Sequence, residues 1–260
     1  MIFDSHCHLD PETYGGDSAV DDVIATAQAA GVSRMLTVGS GYGDGSAARA
    51  VTVAKRHPDV VWASVGLHPH DASMMSPALL ESLIALAKNE EVVAWGEMGL
   101  DFFYDNSPRD IQREVFRQQI RVALELDLPM IIHDRDSDWE VFSVLKSEGA
   151  FERGRVLYHC YAGNLEQLDE LVSHGGWISL PGVVTWKKSA LTREVAIAVP
   201  KEKLLVETDS PFLTPEPLRG RRNEPCHVAL TVEEIAKLRG ITWEECAQFT
   251  TKNANDLFNL

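Results

Sequence analysis

Eight times along this chain a short apolar or β-branched run is followed by a polar turn, and most of these runs lead into a longer segment with helical spacing. The runs fall at residues 2–6, 34–38, 60–66, 92–97, 129–133, 155–159, 177–180 and 204–208. Segments 20–30, 77–88, 111–126 and 165–174 place apolar residues on one helical face, as Val23, Ile24 and Ala27 do in the first of them. A β-sandwich has no place for such helices between its strands, so the alternation predicts an α/β fold, a (β/α)8 TIM barrel spanning residues 1–260 as a single domain. Gly31, Gly149, Gly175 and Gly240 stand where helices should end in left-handed C-caps, and His57-Pro58 closes another. Segments 231–239 and 242–257 read as two terminal helices packed on the barrel.

Barrel enzymes work at the C-terminal ends of their strands, so ionisable residues there carry functional weight. Here they are concentrated. The first run ends in His6-Cys7-His8, the fourth in Glu97, the fifth in His133, the sixth in His159, and Asp209 follows the eighth. Alternation along a strand puts His6 and His8 on one face and Cys7 on the other. A lone strand-end histidine is more often a hydrogen-bonded structural residue than a ligand. Four histidines and two carboxylates at one end of five runs are different. Buried together without a cation, they would compete for too few partners. Six such ligands exceed one tetrahedral ion and suit two divalent ions, which together activate water and neutralise phosphate. Imidazole with carboxylate suits Zn²⁺ or Mn²⁺, with Mg²⁺ the less usual occupant.

Charge bounds the substrate. With 39 acidic and 24 basic residues the net charge is -15, which opposes unspecific adhesion to nucleic acid or to an anionic membrane. A polyanion must therefore be held by a local cationic site. Arg135 lies two residues past His133, and Arg219, Arg221, Arg222 and Asn223 crowd the loop after the eighth run, where a solvated loop paired with Glu216 and Glu224 is an equally good reading for Arg219 and a lesser one for Arg221 and Arg222. Four scattered cysteines without a C-x-x-C pair suit a reducing compartment. The N-terminus lacks the layout of a signal peptide, no apolar run approaches membrane-spanning length, and the expectation is a soluble, cytoplasmic monomer.

The ordered motifs DSHCHLD (4–10), GLHPH (66–70), GEMGLDFFYD (96–105), PMIIHDRD (129–136), LYHCYAGN (157–164), VETDSPFLTP (206–215) and RGRRNEP (219–225) resemble the TatD-type metal-dependent deoxyribonucleases of the amidohydrolase-like superfamily. That resemblance covers the whole chain. It implies that His6, His8 and Asp209 hold one metal, His133 and His159 the other, and that Glu97 bridges. It further implies hydrolysis of DNA phosphodiesters, single-stranded or at damaged ends, in the manner of a 3′-5′ exonuclease, with Asp209 as general base. His68 and Glu207 are placed as additional ligands or, more commonly, as hydrogen-bond partners behind the ligands, the role also given to Asp101 and Asp4. Arg135, Arg221, Arg222 and Asn223 would hold substrate phosphate. Tyr161 and Ala162 depart from the family's usual Phe and Ser/Thr, and Trp186 is an aromatic for base stacking or, more often, core packing. His57, His174 and His227 read as structural. A rival reading from the same ligands is a barrel amidohydrolase acting on an ester, lactone or amide, and another is a metal-binding scaffold without turnover.

Overall fold

The computed structural model describes residues 1–43 and 45–260. Its eight strands are β1 (Ile2–Cys7), β2 (Val32–Gly39), β3 (Val61–Val65), β4 (Val92–Asp101), β5 (Met130–Arg135), β6 (Val156–Tyr158), β7 (Trp177–Leu180) and β8 (Leu204–Val206). They pair in parallel in simple sequential order, the (β/α)8 arrangement. Helices α1 (Pro11–Tyr14), α2 (Asp17–Ala29), α3 (Ser46–Arg56), α4 (Pro77–Leu86), α5 (Arg109–Glu125), α6 (Glu140–Ser147), α7 (Ala150–Arg153), α8 (Leu165–Ser173), α9 (Ala190–Ala198), α10 (Val228–Arg239) and α11 (Trp243–Phe258) make up the rest of the frame. None of the described helices is long and apolar enough to cross a membrane.

The expected punctuation is present. Gly31, Gly149, Gly175 and Gly240 all take positive φ, Asn164 and Gln167 form a capping box at α8, and Thr242 caps α11. Helices α6 and α9, at 8 and 9 residues, are not among the segments expected from the sequence. Strand ends differ from expectation as well. β4 runs on to Asp101, whereas β8 stops at Val206, so Glu207, Thr208 and Asp209 lie in the turn beyond it.

The two ends of the barrel differ chemically. At the N-terminal end Phe3, Leu36, Ile131, Leu157 and Leu205 form an inner apolar layer. Helix α11 closes this floor, with Phe258 packed against Phe3 at a ring separation of 5.8 Å, and Asn253 donating to the Leu204 carbonyl. The buried strand-end histidines and Glu97 gather at the opposite mouth.

Closure between β1 and β8 is made by a few specific bonds. Asp209 N–H donates to the His6 carbonyl at 2.9 Å and His8 N–H to the Ser210 carbonyl at 2.8 Å. Below them the Asp4 carboxyl accepts from Thr208 N–H and pairs with the Thr208 hydroxyl at 2.6 Å, and Ser5 donates to the Val206 carbonyl. Burial pushes the Asp4 carboxyl up to about 8, so near neutral pH it holds a proton and can donate within this seam.

Two register shifts sharpen the mouth. Between Asp4 and Cys7 on β1, and between Trp95 and Met98 on β4, one strand advances three residues while its partner advances two. Such bulges re-aim side chains, and here they fall at His6 and Glu97. On β4, Gly96 and Gly99 adopt φ of +143° and +152°, and a Cβ at Gly99 would lie 1.9 Å from the His133 carbonyl oxygen. Gly99→Ala should therefore lower stability by roughly 3 kcal/mol or more and displace His133. A thermal midpoint within a degree or two of the parent would contradict this close packing.

Candidate metal centre

The four strand-end histidines, Glu97 and Asp209 converge at the barrel mouth, all buried except Asp209 and His133, which retain partial access to a cleft of about 1090 Å³. Glu97 is the hub. Its Oε2 lies 3.6 Å from His6 Nε2, while its Oε1 lies 2.7 Å from both His133 Nδ1 and His159 Nε2. Asp209 Oδ1 is 3.5 Å from His8 Nε2 and 3.7 Å from His6 Nε2. The rings of His6 and His159 stack at 4.0 Å, joining the two sets.

Donor atoms bound tetrahedrally at about 2.1 Å from one ion stand about 3.4 Å apart. The His6, His8, Asp209 and Glu97 Oε2 contacts have that spacing. Nε2 of His6, the nitrogen that faces Glu97 and Asp209, is buried without a hydrogen-bond partner, which is costly unless a cation takes its lone pair. Burial lowers the His6 pKa well below its ordinary value, so its ring is neutral and fit to coordinate. The residues thus fit a divalent cation.

Electrostatics on the other side of Glu97 agree. Burial alone would raise the Glu97 carboxyl, but His159, His68 and His133 outweigh it and hold the group ionised. Burial opposes charge on His159 too, yet Glu97 and Glu207 raise it well above the usual imidazole range. This cluster of carboxylates requires positive charge, from ring protons or from cations.

Behind these donors stand the carboxylates that orient them. Asp101 Oδ2 lies 3.0 Å from His133 Nε2 and 2.9 Å from His70 Nε2, and its Oδ1 is fixed by the N–H groups of Phe103 and Tyr104. Glu207 accepts from Cys160 N–H and from Ser179, 3.6 Å from His159 Nδ1. Carboxylate–histidine–metal relays of this kind fix ring orientation and raise ligand basicity. His68 Nδ1 accepts from His70 N–H, which leaves its proton on Nε2, 3.4 Å from Glu97 Oε1. It therefore faces Glu97 as a donor in this arrangement. Sequence reasoning does not single out His70 as a site residue, although the GLHPH motif contains it.

In the cationic loop, Asn223 departs from the phosphate-binding role expected of it. Asn223 is fully buried, its amide donating to the Thr208 and Phe212 carbonyls and its oxygen accepting from Glu224 N–H. With its carboxamide engaged by the backbone it has nothing to offer phosphate; it clasps the loop that carries Asp209. Arg222 stacks on Tyr14 and pairs with Glu224, and both Arg221 and Arg222 are exposed on the loop, outside the residues that line the cleft. Arg135 does line it, its guanidinium 4.3 Å from the Phe103 ring and 4.9 Å from that of Tyr104. Trp186 is half-buried, covered by Arg219 and bonded to the Thr214 carbonyl. His57, His174 and His227 pair with Asp21, Glu170 and Asn223, away from the cleft.

The family model for TatD-related DNases matches residues 3–259. The chain belongs to the TatD-related DNase family. A relative named an uncharacterized metal-dependent hydrolase, YabD of Bacillus subtilis, is 43% identical over 100% of both chains. The 3′-5′ ssDNA/RNA exonuclease TatD of Salmonella typhimurium is 38% identical, with 100% of this chain and 99% of the relative covered. The crystal structure of YjjV, a TatD homolog from Escherichia coli K12, superposes with a TM-score of 0.90 at 29% identity over 100% of this chain and 98% of that one. This TatD-family chain is accordingly a metal-dependent hydrolase.

Ions that bind the folded state and not the unfolded one stabilise it by RT ln(1 + c/Kd), where c is the free ion concentration. Exhaustive chelation should lower the thermal midpoint, and restoring Zn²⁺ or Mn²⁺ should recover it. Glu97→Ala should abolish the response. A midpoint indifferent to chelator in the parent chain would contradict a structural link between ion and barrel mouth.

Proposed function

We propose that this chain is a 3′-5′ exonuclease that removes nucleotides from single-stranded DNA ends. Two divalent ions, Zn²⁺ or Mn²⁺ in preference to Mg²⁺, would be shared by Glu97. The observation that carries the reading is the split of the Glu97 carboxylate, one oxygen toward His6 and the other toward His133 and His159, beside an open cleft. In this assignment His6, His8 and Asp209 hold one ion and His133 and His159 the other. The ions would supply water activation near neutral pH and charge neutralisation at phosphorus.

The protein's own groups divide the remaining work. Asp209 is held in a left-handed conformation at φ +54°, with its N–H bonded to His6 and Asn223 fixing the turn on either side. Backbone held in this sparsely populated region is a recurrent feature of reacting groups. Its carboxylate faces the cleft and is the proposed general base, accepting the proton of the attacking water and returning one to the leaving oxygen. Arg135, braced by two aromatic rings, binds a phosphate of the continuing strand. Residues 1–260 act as one catalytic unit, and because a single chain carries every donor, a monomer suffices. Four unpaired thiols suit a cytoplasmic setting.

The test uses metal-loaded protein with 5′-labelled single-stranded DNA, alongside a panel of esters, lactones and amides. Stepwise shortening from the 3′ end is expected, and Asp209→Ala should reduce kcat by at least about 10²-fold. Arg135→Ala should shrink the salt slope of binding by about 0.7, one single-strand phosphate contact, while Arg221→Ala with Arg222→Ala leaves it unchanged. Turnover confined to the ester panel would replace the nuclease reading with that of a small-molecule hydrolase, and no turnover at all would leave a metal-binding scaffold.

A further inference from the structure

On the His8 and Asp209 side of the mouth stands an aromatic wall that the ion-binding chemistry does not use. Phe212, three residues past Asp209, is 52% exposed, and its ring is parallel to that of Tyr42 within 8°, with centroids 6.5 Å apart. The His8 ring stands edge-on to both, at 71° to Tyr42 and 74° to Phe212. Both aromatic rings line the cleft. Their backbones are held. Phe212 N–H donates to the Asp209 carbonyl, the Phe212 carbonyl accepts from Asn223, and the Tyr42 carbonyl accepts from Arg49. A single exposed aromatic is ordinary on a protein surface. Two parallel rings held beside a candidate general base form a prearranged pair of aromatic faces.

The opposite side of Glu97 is built differently. There Tyr104 packs against His70, and Arg135 lies over Phe103 and Tyr104. Among the described residues lining the cleft, Arg135 is the one Arg or Lys. The Arg135 flank therefore carries a permanent cation, set among Asp134, Asp136 and Asp138, which also line the cleft, whereas the Phe212 flank presents aromatic rings. A single strand cut at its 3′ end has a matching asymmetry. Every nucleotide of the continuing strand brings a phosphate, whereas the terminal nucleoside carries none beyond the bond being cut.

We propose that Tyr42 and Phe212 form the stacking wall for the nucleobase of the 3′-terminal nucleotide, while the continuing strand passes the Arg135 flank. This assignment rests on the exonuclease reading. Stacking is indifferent to base identity because every base has a π-face, so the wall confers recognition of a base-bearing end without sequence preference. It also selects against a paired end, whose terminal base must unstack from its neighbour before it reaches the wall.

The test compares two 5′-labelled single strands of the same sequence, one ending in an ordinary nucleotide and one in a tetrahydrofuran abasic residue. Removal of the terminal residue by metal-loaded full-length protein is followed as kcat/KM. The parent protein is expected to favour the base-bearing end by roughly 10- to 100-fold. In Phe212→Ala that ratio should fall toward one through loss on the base-bearing strand, and Phe212→Trp should preserve it. Thermal midpoints of both variants, altered at a half-exposed side chain, check that folding is intact. No preference in the parent, an unchanged ratio in Phe212→Ala, or an equal loss on both strands would overturn the wall. A parent that hydrolyses bis(p-nitrophenyl) phosphate but shortens neither strand would instead remove the exonuclease reading, and the wall's assignment with it.

Discussion

Closure of the sheet between its first and last strands is the constraint on which the rest depends. Two backbone hydrogen bonds, Asp209 to His6 and His8 to Ser210, join segments about 200 residues apart. In doing so they set the first three candidate ligands side by side. The same seam is braced from below by Asp4 and Thr208. Barrel closure therefore also assembles the His6, His8 and Asp209 side of the candidate centre. Helix α11 seals the other end with Phe258, so the inner apolar layer and the ionisable groups are assigned to opposite ends of the same strands.

At the mouth the charge on Glu97 governs the energetics. Burying an ionised carboxylate this deeply costs several kcal/mol in desolvation, offset only by close cationic partners in good geometry. Every neighbouring device serves that end. The bulge on β4 aims the carboxylate inward, Gly99 lets β5 approach with His133, and Asp101 and Glu207 steady His133 and His159 from behind. The cost of burying negative charge becomes affinity for divalent cations. In the proposed function a chain of net charge -15 acts on a polyanion by confining attraction to the ions and Arg135.

Much of this is legible in the sequence, for physical reasons. A βα repeat declares itself through period, and the rule that barrel chemistry sits at strand ends converts position into function, so His6, His8, Glu97, His133, His159 and Asp209 stand out as a group. What stays hidden depends on contacts remote in sequence. Asn223 reads as a polar neighbour of arginines until its amide is seen to clasp Thr208 and Phe212. Arg222 reads as a phosphate donor until Tyr14 and Glu224 are seen to occupy it. The bulges at His6 and Glu97 leave no mark in alternation. His70 lies within the GLHPH motif, but only the position of Asp101 reveals that it shares a carboxylate with His133. Tyr42 and Phe212 are ordinary aromatics in loops until the fold sets their rings parallel.

The central claim is that one carboxylate serves two ions, and metal stoichiometry tests it most directly. Dialysed protein loaded with Zn²⁺ and analysed by plasma mass spectrometry should hold two ions per chain, with His8→Ala losing occupancy on one side alone and Glu97→Ala losing it on both. Retention of one tightly held ion by Glu97→Ala, equal to that in His8→Ala, would contradict the account and reduce Glu97 to a ligand of a single metal.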